Sequence, residues 1–247
     1  MVLCLKAWKS RSLPGLFLNY MNKYKCAVLV PARSGSVEIK NKNIIKFNKK
    51  SLLEFTLSQA KKSVLKQDIF VSSDSIKILN IAKKYGAHSI KRPLNISKSN
   101  SKLEPTIKHF IKSISTEYKY IMVLQPTSPL RRAKNINESL FEIIKQKKNS
   151  LISGSIYTDL TLWKENKKKL SPLNYNPNNR KPRQKSSNFF LENGSIYIFK
   201  TNMFRKKNNR IDTNSLCYYS MSKIQSFEVD TFQDFIMTEK LHKINYY

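Results

Sequence analysis

Short runs of apolar residues, set between stretches of helical period, constrain this chain more than any other feature. Residues 26–30 (CAVLV) and 120–124 (YIMVL) are apolar without alternation. Such a run suits a strand buried on both faces, as the strands of a parallel sheet are. Residues 68–72 (DIFVS), 88–90, 150–157, 195–199 (SIYIF) and 216–221 read as further strands. Helical spacing fills the intervals. Leu52, Leu53, Phe55, Leu57, Ala60 and Val64 fall on one helical face over residues 51–65, with Ser51 as the N-cap. Residues 75–85 read as a helix that Gly86 ends, and 104–115 and 135–147 as two more. A closing helix over 231–244 starts on Thr231, with Asp234 placed to complete a capping box. This alternation predicts an α/β fold: an open, mostly parallel sheet with helices on both faces.

Two segments depart from the rhythm. The apolar runs within residues 1–20 are too short for a secretory leader, and no small-residue cleavage site follows. Either Met21 is expected to be the true start or residues 1–20 to be a loose extension, with a single domain over 21–247. Residues 160–188, rich in Lys, Asn and Pro, read as an excursion carrying a short hairpin and a flexible tip.

Charge is the most conspicuous number in the composition: 46 Lys and Arg against 16 Asp and Glu, a net +30. That balance would suit a binder of nucleic acid or acidic membranes. Only nine of the cations are Arg, however, and the lysines spread along the whole chain. Nucleic-acid readers lean on Arg for bidentate contacts. Lysine here reads as surface filler that helps attract a polyanionic substrate, and no nucleic-acid partner is expected. Cys4, Cys26 and Cys217 are scattered without a CxxC, which excludes a disulfide scaffold or structural zinc and fits a reducing compartment. No stretch approaches the roughly 18 apolar residues a bilayer span needs, so no membrane insertion is expected.

Ligands of such sheets bind at the carboxyl ends of the strands, and three motifs lie there. The first runs from Val30 through Ala32, Arg33 and Ser36 to Lys42 and Asn43. Small residues let backbone N–H groups approach phosphate oxygens, and the two cations can neutralise them. The second is LQPTSPLR, residues 124–131, where two prolines and two hydroxyls stiffen a polar loop after a buried strand. Asn135 is expected to cap the helix beyond it. The third is Glu228-Val229-Asp230-Thr231, whose carboxylates at i and i+2 project to one side and suit Mg²⁺ held against phosphates. Asp74, in VSSD, reads equally as a helix cap or as part of a site floor. His88, His109 and His242 read as packing or surface residues.

Taken together, VPARSGS…KNKNI, VSSD, KRP, LQPTSPLR, PRQ, ENGSIYIF and FEVDT resemble, in content and order, the acylneuraminate cytidylyltransferases, from about Lys25 to Leu241. The resemblance implies a Rossmann-like nucleotidyltransferase fold with a protruding dimerisation arm at about 160–188, and a cytoplasmic homodimer. It implies transfer of CMP from CTP to a nine-carbon 2-keto sugar acid, a nonulosonic acid, with loss of pyrophosphate. By it Arg33 and Lys42 bind the triphosphate, Ala32, Ser36 and Asn43 contact the nucleotide, and Arg92 lies near the ribose and base. Gln125 addresses the sugar acid at the reaction centre, Arg183, Asn193 and Tyr197 line the sugar side, and Glu228 and Asp230 carry Mg²⁺. Arg33, Gln125 and Asp230 form the implied catalytic set. The product would feed a surface glycan such as lipopolysaccharide.

The chain also departs from the family pattern. In the loop usually read as PARxGSKGIPxKNI, Val37 replaces a lysine, Glu38 a glycine and Lys40 a proline; Leu103 stands where a Ser or Thr usually meets the cytosine, and Glu228 where Asp is more usual. These departures motivate a rival reading as a catalytically impaired, nucleotide-binding homologue. A 3-deoxy-manno-octulosonate cytidylyltransferase is the rival among enzymes, and LQPTSPLR argues against it.

Overall fold

The structure, a computed structural model, describes residues 24–35, 38–65 and 68–244. The expected extension over 1–20, Ser36 and Val37 lie outside the described residues. Eleven strands are described: β1 (Cys26–Pro31), β2 (Lys46–Phe47), β3 (Lys50–Ser51), β4 (Ile69–Ser73), β5 (His88–Lys91), β6 (Tyr120–Leu124), β7 (Ser150–Thr158), β8 (Trp163–Asn166), β9 (Lys169–Pro172), β10 (Asn188–Lys200) and β11 (Leu216–Ser220). The helices are α1 (Leu52–Lys61), α2 (Ile76–Lys84), α3 (Leu103–Ser113), α4 (Ala133–Gln146), α5 (Thr201–Lys207) and α6 (Phe232–Lys243).

Seven strands make one sheet in the order β11-β7-β10-β6-β1-β4-β5. β1 pairs in parallel with β4 and β6, and β4 with β5. β10 runs antiparallel to both β6 and β7. The wholly apolar β1 and β6 lie at the centre and are buried on both faces. Alternate strand residues face two helical layers. Val28, Val30 and Met122 pack with Leu53 and Leu57 of α1, Ile78 of α2 and Ile136 and Leu140 of α4. Ala27, Leu29 and Val123 pack with Ile107 and Phe110 of α3 and Phe204 of α5.

Local signals agree with this frame. Ser51 Oγ accepts the Glu54 N–H at 3.3 Å, and Glu54 accepts the Ser51 N–H at 2.7 Å, closing a capping box on α1. Gly86 ends α2 with φ +64. The expected excursion contains the β8–β9 hairpin, turned at Lys167 and Lys168, both with positive φ.

Two expectations need correction, and one hairpin is new. β10 begins at Asn188, not at residue 195; its first residues, up to Glu192, pair with β7 alone. The tiny β2–β3 hairpin has no periodicity to announce it. Asn135 is the third residue of α4, not its cap; its Oδ1 accepts the Arg132 N–H at 2.7 Å, so the side chain reaches back over the helix start.

Candidate active site

The carboxyl ends of β1, β5 and β6 open onto a cavity of about 490 Å³. Its walls include Pro31, Arg33, Glu38, Lys42 and Asn43 after β1, Arg92 to Thr106 after β5, and Gln125 to Thr127 after β6. Arg210 and Asp230 complete it. Among the described lining residues, the cations Arg33, Lys42, Arg92, Lys98, Lys102 and Arg210 outnumber the acids Glu38 and Asp230, so the cavity wall is positive and suits a polyanion.

The β1 loop is held from behind. Ser34 donates its N–H to Asp74 Oδ1 at 2.9 Å and its hydroxyl to Oδ2. Burial works against the Asp74 charge, but the Ser34 hydrogen bonds and Arg92 hold its carboxyl below the usual range. Asp74 therefore anchors the loop and does not cap α2. Asn43 is buried and donates to the Arg33 carbonyl at 2.8 Å, which fixes the backbone of that arginine. Ala32 is a correction: it is fully buried, and Ser72 O takes its N–H at 3.0 Å, so it offers the cavity no donor.

Arg92 is buried, with Nη1 on Thr106 Oγ1 at 3.0 Å and Nη2 4.0 Å from Asp74. Burial lowers its pKa and Asp74 opposes that. It lines the cavity together with Leu103 and Thr106 of α3.

The LQPTSPLR loop owes its shape to an arginine that the sequence reading passed over. Arg131 is fully buried and donates to Gln125 O (3.2 Å), Ser195 O (2.8 Å), Ser195 Oγ (3.1 Å) and Thr56 Oγ1 (3.1 Å). Burial pulls its pKa down to about 9, so it stays charged at neutral pH. The signal was present: a cation closing a loop stiffened by two prolines. Gln125, whose N–H donates to Ser195 O at 3.3 Å, is thereby held at the cavity wall.

The acidic segment is tied to the same loop. Val229 donates its N–H to Thr127 O at 2.8 Å, and Ser128 Oγ donates to Glu228 Oε1 at 3.4 Å. The capping box of α6, Thr231 N–H to Asp234 at 2.7 Å and Asp234 N–H to Thr231 at 3.2 Å, orients the next residues. Asp230 is exposed and ion-paired to Lys42 at 2.9 Å. Glu228 is more buried, and its pKa is pushed up to about 7 by burial and then by Asp230. A half-buried carboxylate with a second carboxylate close by is a donor set that a hard divalent cation neutralises.

The expected sugar-side residues are not all brought together. Asn193 is buried, accepts from Ser153 Oγ at 2.7 Å and donates to Ser226 Oγ at 2.9 Å. It lines a second cavity of about 260 Å³ that Glu228 shares. Tyr197 is a correction: it lines neither cavity, being 5% exposed in the sheet, with its hydroxyl on Glu192 at 2.6 Å and its ring under Arg210. Arg183 is exposed on the excursion beyond β9 and does not reach either cavity of its own chain. Of the three histidines, His88 stacks on Phe70, His242 sits edge-on to Phe55, and His109 rides on α3; none lines the main cavity.

The sequence pattern of cytidylyltransferases matches residues 27–245. The chain belongs to the cytidylyltransferase family. Among curated relatives, the N-acylneuraminate cytidylyltransferase of Escherichia coli O18:K1:H7 is 29% identical over 225 residues, covering 85% of this chain and 50% of that one. The N-acylneuraminate cytidylyltransferase of Oncorhynchus mykiss is 31% identical over 222 residues, 88% of this chain and 50% of the relative. The chain thus spans about half the length of these relatives. A post-translational flagellin modification protein B of Campylobacter coli is 27% identical over 233 residues, 90% of this chain and 96% of the relative. Among solved structures, a CMP:2-keto-3-deoxy-manno-octonic acid synthetase complexed with CTP superposes with a TM-score of 0.67 at 13% identity, over 89% of this chain and 99% of the other. A 4-diphosphocytidyl-2C-methyl-D-erythritol synthase from Anaerococcus prevotii gives 0.66 at 12%, over 91% and 99%. At those identities the likeness is one of fold, the Rossmann-like nucleotidyltransferase sheet that this cytidylyltransferase shares.

Proposed function

We propose that this cytidylyltransferase activates a nine-carbon 2-keto sugar acid of the sialic acid type with CTP. The observation that carries the proposal is the cavity in which Arg33 and Lys42, Gln125, and Asp230 converge from three separate chain segments. The anomeric hydroxyl of the sugar attacks the α-phosphorus of CTP. An oxygen–phosphorus bond forms, the bond to the β-phosphate bridging oxygen breaks, pyrophosphate leaves, and the hydroxyl proton passes to solvent or a nearby base. Such a transfer needs positioning and charge neutralisation more than covalent chemistry.

In this reading Arg33 and Lys42 bind the triphosphate and Asn43 holds the Arg33 backbone in place. Arg92 and Thr106 stand by the nucleoside, and Gln125 meets the sugar acid. The donor set of Glu228 and Asp230 fits Mg²⁺, which when bound would neutralise phosphate charge and free Lys42 from Asp230. Arg183 on the excursion would reach the site of a second copy in a homodimer. Exposed Trp163, Leu170 and Leu173 on that excursion support it as a dimerisation arm. The proposal includes a cytoplasmic location; no described helix is long and apolar enough to cross a membrane.

A second reading has its own observation. Glu38 lines the cavity, and a carboxylate beside a triphosphate opposes binding. It favours a homologue that binds nucleotide without turnover.

Pyrophosphate release with CTP, Mg²⁺ and a panel of nine-carbon sugar acids tests both, with UTP, ATP and Asp230→Ala as controls. Release that needs CTP, one sugar acid and Asp230 is the expected result. A folded protein that binds CTP and releases nothing across the panel overturns the enzymatic reading for the second. Sedimentation of the same preparation tests the dimer; a monomer at assay concentration removes it.

A further inference from the structure

Arg210 lines the main cavity, and the roles assigned above leave it unused. Its guanidinium carbon lies 4.5 Å over the centre of the Tyr197 ring. Its Nη1 donates to Glu104 in the first turn of α3. Its Nε is buried and has no hydrogen-bond partner. The ring beneath and the carboxylate at one edge restrict the planar group, so its remaining donors keep a fixed direction. A fixed guanidinium binds a planar anion with less entropic loss than a free surface lysine would.

The position in the sheet says which substrate it meets. Tyr197 of β10 pairs with Val123 of β6. Gln125 follows two residues after Val123 and so continues the same face of the sheet. Arg210, stacked on Tyr197, therefore shares a wall with Gln125. Of the other buried or paired cations, Lys42 is held by Asp230, and Arg92 by Thr106 and Asp74.

We propose that Arg210 binds the carboxylate of the sugar acid and thereby sets which way the anomeric hydroxyl faces. The inference rests on the function proposed above. In the ring form of a 2-keto sugar acid, the carboxylate and the anomeric hydroxyl sit on the same carbon. Holding the first in a two-point contact orients the second toward phosphorus. It also gives Tyr197 a place in the site, as the platform of Arg210.

The test compares Arg210→Ala and Arg210→Lys with the unaltered enzyme in steady-state pyrophosphate release, using the accepted sugar acid and its C1 carboxamide. Loss of a charge-assisted pair is expected to raise the sugar KM by about tenfold or more in Arg210→Ala, with the CTP KM within about twofold. The unaltered enzyme is expected to prefer acid over amide, and Arg210→Ala to lose that preference. Arg210→Lys keeps the charge without the planar fork and should fall between. If Arg210→Ala melts, the acid-to-amide ratio of Arg210→Lys decides instead. An intact preference for the acid, or a CTP KM that rises as far as the sugar KM, overturns this assignment alone. An unaltered enzyme that turns over no sugar acid overturns the proposed function and this assignment with it.

Discussion

Gly194 is the position where a single methyl group separates the chemistry of the site from the stability of the fold. It sits in β10 at φ +61, where the strand register shifts between Glu192 and Tyr197. A Cβ there would lie 2.7 Å from Glu228 Oε1 and 3.2 Å from Gln125 Nε2. Gly194→Ala therefore has two effects. The left-handed backbone costs an L-residue about 1–2 kcal/mol. The close atoms are the far ends of two side chains, so they move at little further cost to the fold. Stability should fall by about 1–2 kcal/mol, a loss in Tm of about 2–8 °C for a chain of this length. Activity should suffer far more, because Gln125 and Glu228 are displaced together; a misplacement of about 1 Å costs on the order of 100-fold in kcat/KM. Gly86→Ala is the matched control. It has the same conformation, φ +64, at the end of α2, and its Cβ meets only the Lys61 side chain at 3.3 Å. The pair is measured by thermal melting and by pyrophosphate release. Similar losses of Tm, with activity lost only in Gly194→Ala, are expected. A Gly194→Ala enzyme within threefold of the unaltered kcat/KM would refute the reasoning, since Glu228 and Gln125 would then have no need of their present places.

The raised pKa of Glu228, from an ordinary 4.5 to about 7, makes the folded chain bind a proton more tightly than the unfolded one. This group's contribution is therefore fully present below the unfolded value and is lost as pH rises through the folded one, by at most about 3 kcal/mol. In the absence of divalent cations, Glu228→Gln should remove that decline between pH 5 and pH 8; chemical denaturation curves that stay parallel for the two proteins across this range would contradict it. Arg131→Met should lower stability by about 3 kcal/mol, because the Gln125 and Ser195 carbonyls and the Thr56 hydroxyl lose their buried donor. Urea midpoints would show it, and a change under about 1 kcal/mol would mean that water replaces the guanidinium.

What was legible in the sequence follows from which interactions are local. β1 and β6 could be read because burial on both faces leaves five apolar residues in a row. The starts of α1 and α6 could be read because a capping box lies within four residues. β10 could not be read in full, since the partner of its first residues is β7 alone, thirty or more residues earlier, and several of those residues are exposed or half-buried. The site divides in the same way. Arg33, Lys42, Gln125 and Asp230 follow strands whose carboxyl ends meet on one edge, so naming the strands was enough to gather them. Ala32 and Tyr197 stand equally close in sequence to that edge, yet strand alternation and a backbone partner turn both inward. Arg131 and Arg210 required the reverse step. Neither belongs to a local pattern; each becomes informative through groups many residues distant, Thr56 and Ser195 for one, Glu104 and Tyr197 for the other. Arginine is scarce in this lysine-rich chain, and a planar fork reaching several acceptors at once is the property lysine lacks. Two of its nine arginines, Arg92 and Arg131, are buried, and Arg210 stacks on Tyr197, although each charge brought out of water opposes folding. Arg92 and Arg210 thus stand as restrained donors at the cavity wall while Arg131 holds the Gln125 loop from behind, a division of labour that the proposed orienting of two anionic substrates requires.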